Sequence, residues 1–191
     1  MTQIGLIRIL QRLAKNRKRV FTLREVATLA GVSRPAAGMT LLRAEKNGLV
    51  SRSANEWINL MDPPKLEEVA LAVASPSYIS FESALYHHGV ISQSPRGYLS
   101  VAVQGRPREL ITPLGKIRLI HLQPSLFFGF DTHRIASPEK AWLDLLYIRG
   151  LRGRKKVISE EVYRNRLNRK RLRLLEKEFP IWVQELNRKV L

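Results

Sequence analysis

Ser33, Arg34 and Pro35 are the residues of this 191-residue chain whose types and spacing most clearly suit a chemical task. They follow a turn at Gly31 and open the run Met39-Thr40-Leu41-Leu42-Arg43-Ala44. Serine caps helices and proline is tolerated in a first helical turn. When such a helix enters a DNA major groove, its N-terminal residues reach base edges. Arg34 carries the fork of donors that binds guanine bidentately. Ala37, Gly38 and Thr40 come next as candidates for approach to bases or thymine methyls, and Arg43 and Lys46 as phosphate contacts. Arg52, Ser53 and Asn55 suit a wing that touches the minor groove or the backbone. Lys15, Arg17, Lys18 and Arg19 form a basic run ahead of the motif, suited to phosphate and equally to a solvated loop.

The elements that must position these groups are legible between Thr22 and Leu60, which read as helix, Gly turn, helix and hairpin: the order of a winged helix-turn-helix. Thr22 and Glu25 have capping-box spacing. Val26, Leu29 and Ala30 fall on one face, and Gly31 ends the first helix. Ser33 caps the second helix, which closes at Gly48. Leu49–Arg52 and Trp57–Leu60 are strand-like around a tight turn. Upstream, Ile4, Ile7, Leu10, Leu13 and Ala14 form the stripe of a first helix over residues 3–14, and Val20-Phe21 is expected as the third wing strand.

Charge agrees with a polyanionic partner. The chain carries +17, of which +7 lies in residues 1–62, +2 in 63–149 and +8 in 150–191. Nucleic acid is the first partner class this implies and an anionic membrane the second. No run of about 18 apolar residues is available to span a bilayer. The N-terminal stretch lacks signal-peptide order, because its charges follow its apolar part. The absence of cysteine excludes disulfides, thiolate catalysis and Cys-ligated zinc, and fits a cytoplasmic setting.

Asp62-Pro63-Pro64 is the expected boundary between a winged helix-turn-helix DNA-binding domain, 1–62, and a second domain, 63–191. The second divides into an α+β core, 63–150, and a basic helical tail, 151–191. In the core, helices are expected at Leu66–Ala74, from Ser80 to His88, and from Ser137-Pro138 onward. Tyr98–Val103, Glu109–Thr112 and Lys116–Leu122 make a small, mainly antiparallel sheet, so the fold class is α+β. His87 and His88 are adjacent, about 100° apart on a helix, and read as a helix end rather than a metal site. Phe127-Phe128-Gly129-Phe130 suits core or loop better than base stacking. Asp144, inside an apolar helix, reads as solvent-facing or as the partner of an arginine.

In the tail, Ser159-Glu160-Glu161 is expected to cap a helical segment. Asn165–Lys177 sets Leu167, Leu172, Leu174 and Leu175 against basic residues, and 179–191 is a last amphipathic piece with Trp182, Leu186 and Val190. Arg152, Arg154, Lys155, Lys156, Arg166, Arg169, Lys170, Arg171 and Arg173 are the candidates for secondary nucleic-acid contacts. No phosphate-cradling GxxxxGK[ST], no GxGxxG, no HExxH and no GxSxG is present, and the acidic residues of the middle region are scattered, with no pair that suggests bound Mg²⁺. The expectation is therefore a protein without catalytic residues, metal or cofactor, and not an enzyme.

Tyr78-Ile79-Ser80-Phe81-Glu82-Ser83-Ala84-Leu85-Tyr86-His87-His88-Gly89 and Ile135-Ala136-Ser137-Pro138-Glu139-Lys140-Ala141-Trp142-Leu143-Asp144, behind a helix-turn-helix start, resemble the AbiEi-type antitoxins. These are transcriptional regulators of abortive-infection toxin–antitoxin operons, counted as type IV and acting in phage defence. The resemblance covers about residues 5–150. It implies that the winged helix binds inverted repeats in its own promoter and represses the operon. It also implies that the second domain supports repression and antitoxicity. The counterpart would be a nucleotidyltransferase-like toxin, opposed without a stable complex. A monomer or a dimer on DNA would both fit, and no membrane is involved. Other readings are a stand-alone DNA-binding regulator, an RNA-binding or protein-interaction module using the basic tail, and a ligand-sensing regulator.

Overall fold

The computed structural model describes residues 2–93, 97–151, 153 and 161–191, and the chain forms two compact units. The first comprises Met1–Val73 with Leu110–Lys116, the second Ala74–Glu109 with Ile117–Leu191.

In the first unit the order is α1 (Gln3–Lys15), β1 (Val20–Thr22), α2 (Leu23–Ala30), α3 (Arg34–Lys46), β2 (Val50–Ser53), β3 (Glu56–Asn59) and α4 (Leu66–Val73). The three strands form one antiparallel sheet in the order β1-β3-β2, with Phe21 and Arg52 on either side of Trp57. The helix boundaries have local causes. Thr22 and Glu25 make both halves of a capping box, the hydroxyl accepting from Glu25 N–H and the carboxylate accepting from Thr22 N–H. Gly31 ends α2 at φ 63°, the left-handed conformation that costs glycine nothing. Ser33 caps α3, with Pro35 in its first turn.

The core brings together Leu6, Leu10 and Leu13 of α1, Val26 and Ala27 of α2, Ala37, Leu41 and Ala44 of α3, and Phe21, Val50 and Trp57 of the sheet. The phase of two helices differs from expectation. Leu6 replaces Ile4 on the inner stripe of α1, and Ile4 is 67% exposed. In α2 the small Ala27 faces inward while Leu29 is exposed. Two residues turn a helix by about 200°, so once Leu6 and Ala27 face the core, Ile4 and Leu29 are carried to the outside. The unit also continues beyond residue 62: Val69 and Ala70 of α4 are buried as the helix packs on β1 and β3. Within the same unit, Gly115 (φ 141°) of the segment Leu110–Lys116 lies against Leu66.

The second unit contains β4 (Ser77–Ile79), α5 (Phe81–His87), β5 (Tyr98–Val103), α6 (Pro138–Leu151), α7 (Arg169–Leu175) and α8 (Ile181–Val190). The β6–β7 hairpin (Arg108–Thr112 and Gly115–His121) completes a sheet of order β4-β5-β7-β6, in which β4 and β5 run antiparallel. Helix α6 is buried around most of its circumference, with Trp142, Leu143, Leu145, Leu146 and Tyr147 all covered. It packs against α5, α7 and α8. At Gly150 the Trp182 ring of α8 lies where any Cβ would fall.

The continuous tail helix expected from Asn165 does not form. One 3-10 turn spans Arg164–Arg166, and α7 starts afresh at Arg169 because the Asn168 side chain accepts from the N–H groups of Lys170 and Arg171. Leu167 and Leu172 are buried, whereas Leu174 is 65% exposed. Arg152, Arg154, Lys155 and Lys156, with the Ser159-Glu160 cap, lie outside the described residues.

Candidate nucleic-acid interface

Helix α3 has two faces. Ala37 and Leu41 are 0% exposed, Ala44 1% and Thr40 6%. Pro35, Met39, Leu42, Arg43 and Lys46 are exposed, with Gly38 half-exposed among them. At about 100° per residue, the exposed positions form one continuous stripe, and the helix is about 20 Å long. Its carboxylate, Glu45, is turned onto the backbone, accepting from Arg52 N–H at 2.8 Å. The outward stripe is therefore basic and apolar.

Three expected contacts are corrected by this geometry. Ala37 lies in the core with Leu41 and Ala44 of the same helix face. Thr40 is turned inward, and its hydroxyl donates to Ala36 O at 3.0 Å. Ser53, 4% exposed, faces the inside of the wing sheet with its hydroxyl unbonded. None of these side chains is presented outward. Met39 and Leu42, at 55% and 44% exposed, take their place on the outer face. The signal was in the wheel: Ala37, Leu41 and Ala44 at helical spacing set the inner phase and leave Met39 and Leu42 outside.

Ser33 and Arg34 are exposed at the N-terminus of α3. Arg34 and the exposed Arg24 of α2 border a shallow recess of about 330 Å³ with Ala27, Thr28, Gly31 and Val32. Arg24 was not among the expected residues. In the wing, Arg52 and Asn55 are exposed at the turn, where Ala54 holds φ 54° and accepts from Arg52 Nε at 3.3 Å.

The basic run divides. Lys15 and Arg17 are exposed. Lys18 pairs with Glu25, and Arg19 binds Asp62 at 2.9 Å with Glu68 at 3.9 Å. Burial alone would raise the Glu25 carboxyl, but the Lys18 ammonium and the Thr22 N–H outweigh it, so its pKa sits below the ordinary value. Across the sheet, burial and the nearby Glu25 charge push Glu56 up, against the pull of Lys18. Lys18 and Arg19 thus serve carboxylates of their own unit.

In the second unit the two segments that carry the antitoxin resemblance meet in a buried polar cluster. The Asp144 carboxylate accepts from Ser80 Oγ at 2.7 Å and Tyr78 Oη at 2.9 Å, and pairs with Lys140. Lys140 Nζ also donates to Tyr78 Oη at 2.9 Å and lies 4.9 Å from the Phe128 ring centre and 5.1 Å from that of Phe179. All four polar residues are 0% exposed. The expectation of a solvent-facing or arginine-paired Asp144 is thereby corrected: its partner is a lysine one turn back on the same helix. Burial pushes the Asp144 carboxyl up and the Lys140 ammonium down, and their attraction opposes both shifts. Phe81, beside Ser80, holds φ 56°, unusual for a bulky residue, with its ring fully buried. Sealed from solvent, the cluster ties β4, the start of α5 and α6 together. Phe127, Phe128 and Phe130 are half-buried around it, and Tyr78 stacks on Phe130 with ring centres 4.6 Å apart. His88 caps α5, its Nε2 2.8 Å from Ala136 O.

Among the described residues no group of three or more His, Asp or Glu is arranged to hold a metal ion, and no helix is long and apolar enough to cross a membrane.

The first unit is thus a winged helix-turn-helix presenting a basic, partly apolar helix. Residues 8–53, from α1 through β2, match the family model described as transcriptional regulator, AbiEi antitoxin. That match supports a role as an antitoxin-type transcriptional regulator. No curated protein matches the chain significantly. Among solved structures, the crystal structure of the RV2827C protein from Mycobacterium tuberculosis is similar, with a TM-score of 0.53 at 15% identity. The alignment covers 94% of this chain and 73% of that one, a likeness of fold.

Proposed function

We propose that this chain is a DNA-binding transcriptional regulator of the AbiEi antitoxin kind, whose helix α3 reads the major groove of its own promoter. The observation that carries the reading is the outward stripe of α3, basic and apolar, in a unit whose residues 8–53 match that family. Arg34 reads a guanine, Gly38 lets the backbone approach, and Met39 and Leu42 meet thymine methyls. Arg43 and Lys46, with Lys15 and Arg17, contact phosphate, and Arg52 and Asn55 bring the wing to the flanking groove. Residues 1–62 supply recognition of inverted repeats, and 63–191 support repression and antitoxicity. The functional counterpart is a nucleotidyltransferase-like toxin, opposed in the cytoplasm without a stable complex.

The test is fluorescence anisotropy on the duplex upstream of the chain's own reading frame, against a scrambled duplex of equal length. Arg34→Ala is expected to weaken the specific complex by about 1–3 kcal/mol and the scrambled one much less. Equal affinity of the wild-type protein for both duplexes would overturn the proposal.

A further inference from the structure

The tail holds a concavity that promoter recognition by α3 does not use. The 3-10 turn Arg164–Arg166, α7, the turn after it and α8 line a half-open pocket of about 650 Å³. That volume lies within the range of small-ligand sites, about 300–1,000 Å³. Its apolar floor includes Leu167 and Leu172, and its walls carry Arg164, Arg169, Arg173, Lys177 and Arg188.

The charges on these walls are not spent on one another. Arg169, Arg173 and Lys177 recur every four residues along α7 and the turn that follows, so they form one row. Arg188 joins them from α8. Among the described residues none of these four has an ion-pair partner. The fifth cation, Arg164, is held by main-chain oxygens, donating to Val190 O at 3.0 Å and Leu191 O at 3.1 Å. The one acidic side chain among the lining residues, Glu176, accepts from Asn187 Nδ2 at 2.8 Å, and Asn187 in turn accepts from the Trp142 indole at 2.8 Å. The acidic group is thereby anchored to the buried frame, and the four cations are left facing the cavity. By contrast Arg166, Lys170 and Arg171 do not line it, and Arg171 reaches toward Glu139, 3.6 Å away.

Convergent unpaired arginines above an apolar floor recognise phosphate next to a flat, less polar group. We infer that this pocket binds the phosphate of a nucleotide, either a free nucleoside polyphosphate or the phosphorylated end of a nucleic-acid strand. A basic face of convex shape would spread its cations apart; here exposed cations line one half-open concavity.

The experiment is isothermal titration of the full chain at near-physiological salt with four probes: ATP, adenosine, and a short single-stranded RNA with and without a 5′-phosphate. Saturable one-to-one binding of ATP but not adenosine assigns a free nucleotide. Binding only of the 5′-phosphorylated RNA assigns a strand end. In either case Arg169→Gln/Arg173→Gln is expected to weaken binding at least tenfold, and Lys170→Gln/Lys189→Gln, which removes two charges outside the pocket, less than twofold. Equal losses from the two pairs, equal binding of both RNAs without saturable binding of ATP, or no binding by any probe overturn the inference. These substitutions are on exposed side chains, and thermal melts check that both variants fold. Arg34→Ala leaves the pocket's affinity unchanged, so failure here and failure of promoter recognition are separable.

Discussion

Ala37 and Met39 lie two residues apart on α3 and point in opposite directions, the first 0% and the second 55% exposed. Two residues turn a helix by about 200°. One side chain therefore packs against α1 and α2, and the other belongs to whatever the helix meets outside.

Met39→Ala and Leu42→Ala are accordingly expected to leave stability within about 0.5 kcal/mol of wild type, as exposed positions do. Each should weaken the promoter complex several-fold while sparing the scrambled duplex. Paired melting and anisotropy measurements check this, and unchanged discrimination would remove both residues from base contact.

Ala37→Leu should behave in the reverse manner. Adding three carbons to a filled core costs about 1–3 kcal/mol. Chemical denaturation is expected to show that loss, with the DNA affinity of the remaining folded protein little altered.

Arg43→Gln and Lys46→Gln test phosphate contact. Each neutralised phosphate contributes about 0.9 to the slope of log affinity against log salt. Each variant should lower the slope by about that much on specific and scrambled duplexes alike. A slope unchanged in both would place these side chains away from the backbone.

The capping box gives a pH signature. Glu25 has a folded pKa below its ordinary value of 4.5, so its contribution is complete above that value and is lost as the pH falls through the folded pKa. Thr22→Ala should cost about 0.5–2 kcal/mol at neutral pH, the usual range for a lost cap. Glu25→Gln should flatten the acid limb of the stability curve. Glu56, shifted up, titrates in the opposite sense, so the Glu25 effect is best isolated in Glu56→Gln protein.

Lys140 and Asp144 supply the last prediction. Asp144→Leu or Lys140→Met strands a buried charge and should cost about 3–5 kcal/mol. Lys140→Met/Asp144→Leu removes both charges and should cost clearly less than the sum of the single changes. Thermal melts of the four proteins close the cycle, and additive losses would mean the two residues act independently.

Much of the first unit was readable along the chain, because its determinants are local. Thr22 with Glu25, Gly31, and Ser33 with Pro35 each act within four residues, and the elements they bound appear where they place them. Inward and outward phase was less legible, since Ile4 and Leu29 are as apolar as the residues that displaced them. Which apolar residue is buried is settled by neighbours distant in sequence. The same holds for Asp144, whose partners Tyr78 and Ser80 lie 66 and 64 residues away. In the tail, a run of good helix formers hid the break at Asn168, where one side chain offers the backbone a different set of hydrogen bonds. The pocket could not be foreseen, because its walls come from segments whose cations look alike on paper.

Gly150 shows what such distant terms demand. Alanine there would favour the helix by about 1 kcal/mol on local propensity alone. The Trp182 ring occupies the space its methyl group would need. A redesign that optimised α6 residue by residue would write alanine and evict the indole. The fold accepts local frustration at one helical position so that a large aromatic can settle against bare backbone, and position 150 should resist substitution far more than its bland chemistry suggests.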